Sequence, residues 1–92
     1  MIGACKYLFR DGIDLNEVEE ALLLAFLAAE GLFGEARVRL DGRYTEDPET
    51  RAVTVDSSTL VGLAVNLIFA AYASREFGRH SFTLLRLSEA LQ

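Results

Sequence analysis

A chain of 92 residues is the size of one domain, and we treat residues 1–92 as a single unit. Hydrophobic residues make up 51% of it, which is more than so small a domain hides, because domains of this size bury only about 60–70% of their unfolded surface. The formal net charge of −5 argues against a general nucleic-acid binder, since such proteins work by neutralising phosphates.

The first elements are predicted to be a strand and a long helix. Residues 5–9 are short, apolar and aromatic, as strands prefer. Asp14 is a good N-cap for a helix over residues 15–33, and Glu17, three residues later, completes a capping-box pattern. Gly31 or Gly34 can supply the left-handed residue that ends this helix.

A second strand is predicted over residues 36–40, which alternate between apolar and basic side chains. One face would carry Ala36, Val38 and Leu40, and the other Arg37 and Arg39. Such alternation is typical of a strand that is apolar toward the core and polar outward. We place the following hairpin turn in residues 45–50, which contain the single proline, Pro48, and interpret Asp41-Gly42 as a bulge or bend.

The same order of elements then runs a second time. Residues 51–55 predict a strand with Val53 and Val55 facing inward and Thr54 outward. Residues 56–59 offer several N-caps for a helix over residues 59–77. That helix ends on a Phe-Gly pair, as the first one does, and residues 81–87 predict the last strand.

The predicted order is therefore β-α-β-β-α-β. Right-handed crossovers and a central hairpin then give an α+β fold with a four-stranded antiparallel sheet and two helices on one face. This arrangement resembles the ferredoxin-like fold, and the resemblance covers most of the chain without pointing to a particular family.

The second helix is apolar around its whole circumference, which leaves a surplus of apolar surface. If Leu60, Leu63 and Leu67 face the sheet, the other apolar side chains must face a partner. The predicted oligomer interface is Leu23, Phe26, Leu27, Val65, Ile68, Phe69 and Tyr72. Two alternatives stay open: the helices cover each other, or the helix spans a membrane. The apolar run of residues 60–73 is short for a span, which needs about 20 residues, so we expect a homo-oligomer, a dimer first, and no membrane partner.

One polar group of side chains has a geometric argument behind it. Residues two apart on a strand project to one face, which predicts an open sheet face bearing Arg37, Arg39, Thr54, Arg86 and Lys6. Such a face could bind an anionic small molecule, an acidic protein or RNA. RNA-binding sheets also expose aromatic rings, and the candidates here are Tyr7, Tyr44 and Phe82. The alternative is that these arginines are solvated and paired with nearby carboxylates.

Residue types that carry catalysis are scattered along the chain. His80 is the single histidine, with no partner at metal-ligand spacing, and Cys5 is the single cysteine, which excludes an intrachain disulfide. Asp11, Asp14 and Asp56 lie at strand-to-helix junctions and could meet at one end of the sheet, although capping accounts for two of them. We predict no catalytic residue, no metal and no cofactor.

These features favour a non-catalytic, homo-oligomerising interaction or ligand-sensing module. Its apolar helices would assemble it, and its arginine-bearing sheet face would meet an anionic partner. A nucleic-acid-binding sheet protein is the first alternative, and a small enzyme with its active site at an oligomer interface is the second. The chain has no evident signal peptide and no disulfide, so we expect a cytoplasmic location.

Overall fold

The structure is a computed structural model and describes residues 3–88. Its elements are β1 (Gly3–Phe9), α1 (Leu15–Phe33), α2 (Glu35–Asp41), β2 (Tyr44–Asp47), β3 (Ala52–Asp56), α3 (Leu60–Phe77) and β4 (Phe82–Ser88). The strands lie in the order β2-β3-β1-β4, and each neighbouring pair is antiparallel. The predicted α+β class and four-stranded antiparallel sheet are confirmed. The predicted count of two helices is wrong, because residues 3–88 form three.

The additional helix is α2, which replaces the strand predicted over residues 36–40. Glu35 pairs with Arg39 at 3.0 Å and Arg37 pairs with Asp41 at 2.7 Å, both across one helical turn. Such i,i+4 ion pairs stabilise a helix and cannot form in a strand. Of the predicted inward side chains only Val38 is buried, so period-two alternation does not describe this segment.

Local capping explains where the two long helices begin and end. Asp14 accepts a hydrogen bond from the backbone N–H of Asn16 at 2.9 Å, and α1 coincides with the predicted residues 15–33. Thr59 caps α3 by accepting from the N–H of Gly62, also at 2.9 Å. Both helices stop at a glycine with positive φ, Gly34 at 88° and Gly78 at 100°, a conformation that side chains disfavour.

The sheet presents one face to the helices and leaves the other open. The side chains that it contributes to the core are Tyr7, Phe9, Val53 and Val55. Because side chains alternate along a strand, the residues between them project to the open face. One row across all four strands on that face consists of Thr45, Thr54, Lys6 and Leu85.

The hydrogen bonds of Asn66 to β1 and β3 and the close approach of Gly62 to β3 orient α3 against the sheet. The Tyr7 hydroxyl donates to the Asn66 side-chain oxygen at 2.7 Å, and the Asn66 amide donates to the carbonyls of Gly62 and Asp56 at 2.8 and 3.3 Å. A Cβ on Gly62 would lie 2.2 Å from the Asp56 carbonyl oxygen, so the helix can approach β3 this closely only with glycine there. These contacts turn Val65 and Phe69 into the core, where both are fully buried.

Candidate functional site

The outer surface of the helix layer carries a group of exposed leucines. We call this group the leucine face, and it consists of Leu23, Leu24 and Leu27 on α1 with Leu60, Leu63 and Leu67 on α3. Their exposed fractions run from 49% for Leu63 to 76% for Leu67. The two helices pack directly against each other, so the leucines occupy one side of a single layer. Isolated exposed leucines are common on proteins, but six on one packed pair of helices form a patch.

The structure reverses the side of α3 that was predicted to face outward. Val65 and Phe69 are fully buried in the core and cannot belong to an interface, whereas Leu63 and Leu67, predicted to face the sheet, are exposed. A helix that is apolar on all sides gives no periodic signal for which side faces the core. The contacts of Gly62 and Asn66 with the sheet determine the orientation of α3 instead.

The other predicted interface residues fall into three groups. Leu23 and Leu27 are exposed as expected, and Tyr72 is exposed at 38%. Ile68 is half-buried against the core. Phe26 packs its ring on Tyr44 of β2, with centroids 5.4 Å apart, so it belongs to the contact between α1 and the sheet.

A groove between α1 and α3 continues the leucine face at one end of the layer. Leu24 and Tyr72 line its apolar part, and Glu17, Glu20 and Arg75 lie around it together with Ala21 and Glu76. Its volume is about 590 Å³. The groove therefore combines an apolar floor with a predominantly acidic rim.

By length and composition, α3 is also the one helix within residues 3–88 that could cross a membrane. A third of its 18 residues are buried inside the domain. Its buried side includes Phe69, whose ring lies 4.8 Å from that of Tyr7, and Asn66, which is hydrogen-bonded to the sheet. A helix inserted alone in a bilayer would give up all of these contacts.

The predicted arginine-bearing sheet face does not form as expected. Arg37 and Arg39 lie on α2, off the sheet, because their segment is helical. Arg86 lies opposite Cys5 in the β1–β4 register and so projects toward the helix side at the edge of the sheet. Only Lys6 and Thr54 share the open face, where they are direct cross-strand neighbours.

Sequence reasoning missed a further cation near that face, Arg43, which immediately precedes β2. It lines a shallow basin at one end of the open sheet face together with Thr45 and Thr54. The signal was hidden because residues 45–50 were predicted to form a turn, whereas residues 45–47 belong to β2, which brings Thr45 beside Thr54.

The aromatic side chains proposed for base stacking face the helices. Tyr7 is fully buried, and its ring contacts those of Phe69 and Phe82 at centroid distances of 4.8 and 5.7 Å. Tyr44 packs on α1 from the same side of the sheet. The open face of the described strands therefore presents no aromatic ring to an unstacked base.

Three titratable groups on the helix side of the sheet have a raised pKa. Partial burial, followed by the negative charge and hydrogen bonding of Glu19, raises the pKa of Glu46. Burial, followed by the charges of Glu46 and Glu19, raises the pKa of Tyr44. Burial also raises the pKa of the Tyr7 phenol, with the charge of Cys5 adding to it. In this arrangement two carboxylates crowd each other beside the core.

The remaining candidates for chemistry do not converge. Asp11 and Asp14 follow the C-terminal end of β1, whereas Asp56 lies opposite Ala4 near its beginning, so the three aspartates occupy opposite ends of the sheet. The backbone carbonyl of His80 accepts a hydrogen bond from the Arg10 side chain, and its imidazole is exposed. Within residues 3–88 no three His, Cys, Asp or Glu side chains are grouped closely enough to hold a metal ion.

Comparisons with protein-family models, with curated proteins and with solved structures find no match to this chain.

Proposed function

We propose that this protein is a non-catalytic module that associates with a second copy of itself through the leucine face. The observation that supports the proposal is the exposure of six leucines on one side of α1 and α3. As a finer description of the fold, we propose a ferredoxin-like arrangement with α2 inserted after the first long helix. Support comes from the two long helices that follow β1 and β3.

The area of the leucine face suits a dimer. A leucine side chain gains about 2–3 kcal/mol on full burial at about 25 cal/mol per Å², which corresponds to roughly 100 Å² each. Six leucines that are about 60% exposed on average therefore offer on the order of 350 Å². A standard interface buries about 800 Å² per partner, about 60% of it apolar, or roughly 500 Å². The leucines alone supply most of that area.

A second copy fits this face better than an anionic lipid surface. Peripheral membrane helices combine an apolar face with lysines and arginines that attract acidic headgroups. Here the groove that continues the leucine face bears Glu17, Glu20 and Glu76 against the single cation Arg75. The net charge of −5 also disfavours binding to an anionic lipid surface. An acidic rim repels such a membrane.

A substitution at the centre of the leucine face tests the proposal. Leu67→Glu introduces a charge at the most exposed leucine of the set, at 76%, so the monomer keeps its core. If the face is an interface, the charge would be desolvated in the dimer, and the variant should be monomeric. The measurements are absolute mass by light scattering after size exclusion and far-UV circular dichroism to check the fold.

The matched control is Leu85→Glu on the open face of β4, where the leucine is 41% exposed. It adds the same charge to the other side of the sheet and should leave the dimer intact. A dimer that survives Leu67→Glu and dissociates with Leu85→Glu would move the interface to the sheet and overturn the proposal.

A further inference from the structure

The open sheet face ends in a basin of about 420 Å³, which is within the range of small-molecule sites. Its walls include Ala4, Arg43, Thr45, Thr54, Asp56 and Leu87. Ala4 and Leu87 are direct neighbours on β1 and β4, and Thr45 and Thr54 are direct neighbours on β2 and β3. One side of the basin is thus apolar, and the other presents two hydroxyls and a guanidinium.

Two cations of this region, Arg43 and Lys6, have no side-chain partner among residues 3–88. Within residues 3–88 neither the Arg43 guanidinium nor the Lys6 ammonium makes a hydrogen bond or an ion pair. Arg37 and Arg39, by contrast, are both paired with carboxylates of α2. Lys6 is half-buried and lies directly opposite Thr54, on the side of the basin away from Arg43. Among residues 3–88, two cations without a side-chain partner therefore lie close to the threonine hydroxyls: Arg43 lines the basin with them, and Lys6 is the cross-strand neighbour of Thr54.

The one carboxylate among the wall residues is Asp56, and it is already engaged. Its Oδ1 accepts a hydrogen bond from the backbone N–H of Ser58 at 2.8 Å. Arg43 does not pair with it, since no ion pair joins the two residues. Among the lining residues the charges of Arg43 and Asp56 balance, and Lys6, the cross-strand neighbour of Thr54, adds a positive charge next to the basin, which favours an anion there.

We propose that this basin binds a small organic oxyanion, with its charged oxygens on Arg43 and the threonine hydroxyls and its apolar part on Ala4 and Leu87. Guanidinium binds carboxylate and phosphate oxygens in a bidentate manner, and hydroxyl donors complete such sites. The inference is independent of self-association, because the basin lies on the face of the sheet opposite the helices.

The experiment is a titration of the ¹⁵N-labelled chain with phenyl phosphate and with benzoate, which share a ring and differ in their head group. Ionic strength is held constant with sodium chloride. We expect saturable shifts of the Ala4, Thr45 and Thr54 amides with a dissociation constant of about a millimolar, as suits an open site. Binding of either probe supports the proposal, and the tighter one identifies the head group.

Three variants make the result specific. Arg43→Gln should weaken binding about tenfold or more, because it removes a charge-assisted hydrogen bond, whereas the control Arg39→Gln on α2 should leave it unchanged. Asp56→Asn keeps an acceptor for the Ser58 N–H and removes the negative charge, so it should tighten binding.

The proposal is overturned if neither probe produces saturable shifts, or if Arg43→Gln and Arg39→Gln bind alike. It is equally overturned if Asp56→Asn weakens binding of the two anions, because loss of a negative charge from the wall of an anion site should strengthen their binding. The solution mass of each variant is recorded alongside. A failure of anion binding leaves that mass unchanged and is therefore distinguishable from a failure of self-association.

Discussion

Replacing Gly62 by alanine should destabilise the fold, against the usual effect of this substitution in a helix. Gly62 lies in the first turn of α3, where alanine would ordinarily gain about 0.5–1 kcal/mol. Its added Cβ would lie 2.2 Å from the Asp56 carbonyl oxygen and 3.0 Å from the carbonyl carbon. The obstacle is backbone, so α3 or the end of β3 must move.

The size of the effect follows from two opposing contributions. Overpacking costs about 1–3 kcal/mol, and a backbone obstacle places Gly62→Ala at the upper end. Movement there also strains the 3.3 Å hydrogen bond from Asn66 to the Asp56 carbonyl, worth about 1 kcal/mol. After the helical gain is subtracted, the net loss is about 2–3 kcal/mol. For a domain of this size, at about 4–8 °C per kcal/mol, the melting temperature should fall by roughly 8–24 °C.

Gly31→Ala is the matched control, since it makes the same substitution in α1. A Cβ there meets no atom of the described residues within 4 Å, so the variant should gain up to about 1 kcal/mol. Both melting curves are measured by circular dichroism at one protomer concentration, because association shifts the midpoint. A Gly62→Ala variant as stable as Gly31→Ala would refute the close approach of α3 to β3.

Two further predictions concern Glu46 and Arg51. The pKa of Glu46 is raised in the folded protein, so folding favours the protonated carboxyl group. The protonated group contributes its full stabilisation below the ordinary pKa of 4.5, and this stabilisation is lost as the pH rises through the pKa of the folded state. Glu46→Gln should therefore raise the melting temperature at pH 7 and have little effect on it at pH 3.5. The control Glu49→Gln, in the same hairpin, should leave the melting temperature unchanged at both pH values. Equal effects of Glu46→Gln at the two pH values would contradict the interaction of Glu46 with Glu19. The Arg51 side chain donates to the carbonyls of Phe9, Arg10 and Ile13, and the residue has a positive φ of 57°. In urea unfolding, Arg51→Ala and Arg51→Gly should each lower the free energy of unfolding by about 1.5–3 kcal/mol. The glycine variant should be about 1 kcal/mol more stable than the alanine variant, because glycine tolerates the positive φ. An alanine variant as stable as the wild type would refute the stabilising role of the Arg51 hydrogen bonds.

The elements that could be predicted from the sequence are those with strong local signals. The N-cap Asp14 and the stop at Gly34 define α1 without help from the rest of the fold. Residues 36–40 show two patterns at once, alternation with period two and charge pairs spaced four apart. The segment is helical, and the two charge pairs stabilise this helix across one turn. Gly34 ends α1 and allows the chain to begin α2 directly after it.

The candidate sites depend on contacts that a sequence pattern does not show. The orientation of α3 follows from the approach of Gly62 to Asp56 and from the hydrogen bonds of Asn66, since the helix is apolar on all sides. The basin requires the pairing of β2 with β3 to bring Arg43 close to Thr54, and residues 45–47 of β2 were predicted to be part of a turn. The high content of apolar residues therefore indicated that an apolar helix face would be exposed. The sequence did not show which side of α3 that face would be, and the predicted side was wrong.

The most direct test of the account is sedimentation equilibrium of the wild-type chain over a wide range of concentration. If the leucine face joins two copies, the mass should move from 10.2 kDa toward twice that value as concentration rises, with a single association constant. A mass that stays at 10.2 kDa at every concentration would contradict the account, because the six leucines would then remain exposed without a second copy to cover them.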